Sequence, residues 1–154
     1  MTHKTSDKAH RIICIVHYRG FCLERSVTVK FNAITENHLY SKAYSKGKRA
    51  VTSALAVYVL PDYAAKRLAL ARPDKKIKNR IGLTASTKLG GAVVRSRVRR
   101  ILRAGLTSLE CDRPLKQGFL IVIAARSAAV GLKSTDIRAH LESAFEKLGM
   151  YAQQ

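Results

Sequence analysis

The clearest pattern along the chain is helical. Over residues 92–109 the side chains of Val94, Val98, Ile101, Leu102 and Leu109, with Gly105, fall in one stripe at about 100° per residue, as expected of a helix that buries one face. Residues 119–124 form an uninterrupted apolar run, which predicts a strand covered on both faces at the centre of a sheet. A second strand is expected over 54–60, ended by Pro61. In a third, Ile81, Leu83 and Ala85 alternate with Gly82, Thr84 and Ser86. Two further helices are expected. The first is capped by Thr35, has Glu36 in its first turn and stops at Gly47. The other is capped by Ser134, turns Ile137, Leu141, Ala144 and Leu148 inward and stops at Gly149.

The order is therefore helix-strand-strand-helix-strand-helix. Residues 62–79 read as a long hairpin loop between the first two strands, with a short helical turn near Ala64 to Leu70. One hairpin and one strand-helix-strand crossover make an α+β fold, a two-layer sandwich. Residues 29–150 are expected to be one domain and 151–154 a tail. Residues 1–28 show no sustained period and read as an extension. It is either a disordered arm, a misplaced start, or a basic arm that touches RNA through Lys4, Lys8, Arg11, Arg19 and Arg25.

Composition narrows the class. Of 154 residues 47% are hydrophobic, enough for one core, yet 29 Lys and Arg against 10 Asp and Glu leave a formal charge of +19. Such self-repulsion points to a polyanionic partner, nucleic acid before a membrane. No apolar run approaches the roughly 20 residues that span a bilayer, and residues 12–16 are too short for a secretory signal, so a cytoplasmic protein is expected. Cys14, Cys22 and Cys111 form no C-x-x-C pair and read as free thiols. The five histidines show no zinc spacing.

The charge is also unevenly placed. Between Asp74 and Glu110 there is no carboxylate, but there are Lys75, Lys76, Lys78, Arg80, Lys88, Arg95, Arg97, Arg99, Arg100 and Arg103. The five arginines from Arg95 to Arg103 occupy the polar arc of the expected helix. A merely solvated face would mix signs, and a guanidinium fork grips phosphate bidentately. Gly90-Gly91 before this helix is a turn or an anion site beside Lys88. Tyr40 and Tyr44 are four apart, with Tyr58 on the next strand and Lys42, Lys46, Lys48 and Arg49 nearby. Their spacing fits core packing and base stacking alike. The carboxylates form no acidic cluster, so neither a catalytic residue nor a metal ligand is expected in the protein.

Residues 80–103, RIGLTASTKLGGAVVRSRVRRILR, resemble the signature of the bacterial ribonuclease P protein component, in which a strand R-x-G-[LF]-x-x-S-K-K precedes a helix with R-N-R-x-K-R. The resemblance extends to residues 42–49, KAYSKGKR, and to the apolar strand, covering about Lys30 to Leu148. Ser96 stands for the usual asparagine, Arg99 for lysine, Thr87 for the first lysine of the pair and Gly91 for a common asparagine. The resemblance implies a subunit that joins a catalytic RNA to remove the 5′ leader of precursor tRNA. Hydrolysis would belong to the RNA and its Mg2+, with the protein alone inactive and no further protein partner required. It further implies that Lys88, Arg95, Ser96, Arg97, Arg99, Arg100 and Arg103 hold the RNA subunit. Tyr40, Lys42, Tyr44 and Tyr58 would line a leader cleft, and the crossover would be left-handed, against the usual rule. A ribosomal or RNA-chaperone protein shares the charge and size. A helix-turn-helix DNA binder needs two short helices and a tight turn, whereas this arginine helix is flanked by strands.

Overall fold

Phe119–Ala125 (β7) is hydrogen-bonded along both edges, to Leu55–Pro61 (β5) antiparallel and to Arg80–Ala85 (β6) parallel. The computed structural model describes residues 17–18, 21–22, 32–64, 67, 70 and 78–151. Most of the expected N-terminal arm, residues 1–28, and of the expected 62–79 loop lies outside them. His17–Tyr18 (β1) and Phe21–Cys22 (β2) pair with each other. Asn32–Ala33 (β3) and Lys48–Val51 (β4) are the edges of the main sheet, whose order is β3-β6-β7-β5-β4. The helices are Asn37–Lys46 (α1), Ala92–Asp112 (α2) and Ser134–Lys147 (α3).

Alternation along β7 explains its central place. Ile121 and Ile123 face one way, into a core with Val57, Val98, Leu102 and Phe145. Leu120 and Val122 face the other way, onto Leu39, Ala43 and Leu60. The uninterrupted apolar run is thus a strand covered twice, as expected. The class is α+β, but the helices do not form a single layer: α2 and α3 cover one face and α1 part of the other.

The hairpin expected across residues 62–79, between the strands 54–60 and 81–85, is corrected. β7 lies between β5 and β6, and the actual hairpin joins β4 to β5, pairing Lys48 with Val59 and Val51 with Ala56. β4 escaped the pattern because Ala50 is its one buried residue. Cations at Lys48 and Arg49 suit an exposed edge. Both helix starts shift by one. Glu36 rather than Thr35 is the N-cap of α1, and Lys133 rather than Ser134 that of α3, where the Asp136 carboxylate accepts the Lys133 N–H at 3.1 Å. The stops hold: Gly149 has φ +63°, and a Cβ at Gly47 would collide with the Ala43 carbonyl.

Asn79 sets the register of the parallel pair. Buried to 4% exposure, its amide donates to the Lys116 carbonyl at 2.9 Å and accepts from the Phe119 N–H at 3.0 Å. Next to it Arg80 donates to the buried Asp62 carboxylate at 2.6 Å, and the Asp62 N–H reaches the Gly118 carbonyl. The starts of β6 and β7 are thereby tied to the end of β5.

α3 runs alongside only the second half of α2. Gly105 meets Ser134, Arg138 bonds Ser108 at 3.0 Å and pairs with Asp112, and Arg113 donates to Glu142 and Glu146 at 2.8 and 2.9 Å. Those contacts fall in the same order on both helices. The first half of α2 therefore projects past the start of α3, held to the sheet by Val98 and Leu102. Tyr151, expected in the tail, bridges to Leu115 and lies 3.9 Å under the Arg113 guanidinium, with burial pushing its phenol up to about 12.

Candidate nucleic-acid interface

α1 is too short to cover its face of the sheet. The strand register puts three rows of side chains on that face: Leu60, Leu120 and Arg80; then Arg49, Tyr58, Val122 and Gly82; then Val51, Ala56, Ala124 and Thr84. Leu39 and Ala43 seal the first row, and the tyrosines stand over the second. The third row remains as a shallow floor of small residues, with Val51 40% exposed at its edge.

The spacing of Tyr40 and Tyr44 left packing and stacking open, and the structure gives the two residues different surroundings. Tyr40 is half-buried, donates to the Ile34 carbonyl at 3.3 Å and lies against Gly82; burial first, and Tyr44 second, raise its pKa. Tyr44 is 42% exposed, meets Tyr58 edge-on at 4.9 Å between centroids and shares a 3.2 Å hydrogen bond with Thr84. It forms the wall of the groove. Lys42 is exposed but two residues from each tyrosine, so it faces the opposite side of α1.

Two cations absent from the expected site line this groove. Arg49 stands opposite Tyr58 in the register, on the groove face and exposed. Arg126 follows Ala124 on the same face at the end of β7, with Nη1 on the Thr52 carbonyl at 3.0 Å. Arg49 is visible in the sequence only as one of several cations near the tyrosines; nothing in the spacing singles out Arg126, which joins them only through strand register.

The groove leads along the chain to the arginines. From Thr84 the backbone passes Ser86, a 3-10 turn at Thr87–Leu89 carrying exposed Lys88, and Gly90, whose φ of +122° favours glycine, before α2 starts at Ala92. No side chain caps this helix start and no acid lies in its first turn. Arg97, Arg99, Arg100, Arg103 and Ser96 are exposed, and none of those arginines has an ion-pair partner among the described residues. Arg95 differs: it is half-buried and its Nη1 donates to the Gly90 carbonyl at 2.6 Å, bracing the turn. Projection past α3 leaves the other four free over a wide arc.

Among the described residues no group of three or more His, Cys, Asp or Glu could hold a metal ion, and no helix is long and apolar enough to cross a membrane. The sequence model of the family described as Ribonuclease P matches residues 29–149. The ribonuclease P protein component of Clostridium acetobutylicum is 34% identical over 122 residues, covering 79% of this chain and 92% of that protein. That of Symbiobacterium thermophilum is 32% identical, with 72% and 85% covered. Among solved structures, the Staphylococcus aureus RNase P protein superposes with a TM-score of 0.61 at 21% identity, covering 80% of this chain and 100% of that one. The Thermotoga maritima RNase P protein gives 0.53 at 17%, covering 68% and 86%. At those identities the structural likeness concerns the fold.

Proposed function

The chain belongs to the ribonuclease P protein family, the protein component of a tRNA-processing ribonuclease, and from that premise we propose how its two surfaces divide the work. The arginine half of α2, with Lys88, Ser96 and the bracing Arg95, binds the catalytic RNA. The groove of Tyr44, Tyr58 and the Val51–Ala56–Ala124–Thr84 floor, packed behind by Tyr40, takes the single-stranded 5′ leader of precursor tRNA. Lys42 contributes charge from the far side of α1.

One observation carries this reading: a tyrosine-walled groove and a row of exposed arginines, none with an ion-pair partner among the described residues, are joined by a single turn, residues 86–91. A leader base stacks on Tyr44, while the phosphates of the RNA meet guanidiniums that need not first break a salt bridge. Bringing two RNAs together costs phosphate repulsion, which this surface offsets. On this reading the Mg2+ that supports hydrolysis is held mainly by the RNA, which carries the chemistry, and the protein alone is inactive. The protein works in the cytoplasm with these RNA partners and needs no other protein.

The test mixes purified protein, a bacterial ribonuclease P RNA and 5′-labelled precursor tRNA at low Mg2+. Cleavage at the mature 5′ end is expected to be stimulated only when both components are present, more so for substrates with longer leaders. Tight RNA binding without stimulation of an active RNA would favour a ribosomal or chaperone role, and cleavage by protein alone would overturn the division of labour.

A further inference from the structure

We propose that the concavity where α3 begins against α2 is a separate contact for the sugar–phosphate backbone of the catalytic RNA. This rests on the reading of α2 given above and extends it beyond the arginine motif. The concavity holds about 320 Å3 and is lined by Ala104, Gly105, Ser108, Ser134, Thr135 and Arg138.

Its chemistry fits a ribose-phosphate chain. The hydroxyls of Ser108, Ser134 and Thr135 can each donate and accept, as alternating 2′-hydroxyls and phosphate oxygens require. Arg138 supplies the cation and is held in one orientation, with Nη1 on the Ser108 hydroxyl at 3.0 Å and Nη2 paired to Asp112. Two carboxylates lie close: Asp112 is paired with Arg138, and Asp136 accepts the Lys133 N–H at 3.1 Å and the Thr135 hydroxyl at 3.4 Å, a bond the Thr135 hydroxyl would give up to donate to RNA. Ala104 and Gly105 present almost no side chain. Gly105 lets α3 approach closely, since a Cβ would come a tight 3.0 Å from the Ser134 carbonyl and 3.1 Å from Ile137 Cγ2.

Its position supplies the occupant. Ala104 follows Arg97 by seven residues and Arg100 by four, on the same side of α2, so the concavity continues the arginine row. α3 ends that row from the side, its first turn facing the projecting half of α2. A strand held by Arg97 and Arg100 runs directly into it.

The experiment uses the full chain with Thr135→Glu. Thr135 is exposed, and a carboxylate in the first turn of α3 favours the helix, so folding is preserved while the concavity becomes anionic. The Kd for ribonuclease P RNA is expected to rise about tenfold at low salt and less at high salt, with an unchanged unfolding midpoint. Ala104→Leu, which fills the concavity without charge, is expected to weaken binding at all salt concentrations. Arg100→Ala is measured in parallel. Loss with Arg100→Ala but none with Thr135→Glu or Ala104→Leu would overturn the concavity alone. Indifference to all three would overturn the role of α2 as well.

Discussion

Gly82 lies beneath Tyr40 so closely that a Cβ on it would come 2.5 Å from Cε1 and 2.8 Å from Cζ of the ring. The glycine of the strand signature is thus a seat for an aromatic ring on the facing helix, and it fixes how α1 stands over the sheet. Gly82→Ala is expected to push that ring away and cost about 1–3 kcal/mol of stability, read as a lower urea midpoint at unchanged m-value.

Tyr44 should behave differently from Tyr40. Being 42% exposed, it carries little of the core. Tyr44→Ala is expected to cost about 1–3 kcal/mol of affinity for leader-bearing precursor tRNA and to leave the affinity for leaderless tRNA unchanged. Tyr44→Phe should keep most leader affinity and lose the hydrogen bond to Thr84. A loss of folding stability with leader affinity retained would return Tyr44 to the core.

Arg97→Ala and Arg100→Ala should each lower the salt slope of RNA-subunit binding by about one contact without moving the unfolding midpoint, since both side chains are exposed and have no ion-pair partner among the described residues. Arg95→Ala should also loosen the turn at Gly90, whose carbonyl it holds. Equal behaviour of all three in both assays would deny Arg95 its bracing role.

Arg80 is expected to act on folding rather than on RNA. Its carboxylate partner Asp62 is 3% exposed, so Arg80→Met is expected to cost on the order of 3 kcal/mol by taking that cation away. The double variant Asp62→Leu/Arg80→Met should recover much of the loss. Chemical denaturation of the two variants checks both statements.

Glu110 imposes a pH dependence. Burial raises its pKa above the usual 4.5, against smaller opposing contributions from Gln117 and Lys78, and its Oε2 is buried without a hydrogen-bond partner among the described residues. In the window between 4.5 and the raised value the folded chain binds more protons than the unfolded one. Stability should therefore fall as pH rises through that window and improve as pH falls. Glu110→Gln is expected to flatten this profile and raise the midpoint at neutral pH. A profile unchanged by the substitution would clear Glu110.

Periodicity made α2 and β7 legible, because each buries a long apolar set: Val98, Leu102 and Leu109 on one helical stripe, and Leu120 to Ile123 on both strand faces. The arginines were legible as charge for the same reason. Neighbourhood in the sheet was not, since β5 and β6 are consecutive strands along that stretch of chain and yet β7 separates them. The groove floor was equally hidden. Val51, Ala56, Ala124 and Thr84 carry no chemical signature and become a surface only through the pairing of four strands. Arg126 became a candidate with that pairing; of the cations that sequence placed near the tyrosines, Arg49 lies on the groove face and Lys42 faces away.

α2 is one unbroken helix of 21 residues, gripped along its second half and free of α3 along its first. Its guanidiniums are consequently aimed from a distance by the packing of its second half. Leu106 and Leu109 act as the hub of a dial whose pointer is the arginine row. A single alanine inserted between Arg103 and Gly105 would leave charge and motif intact, yet turn that row by about 100° relative to the sheet. If the arginine row binds RNA as proposed, recognition depends on phase as much as on chemistry, and counting basic residues would not distinguish a working copy from a misaligned one.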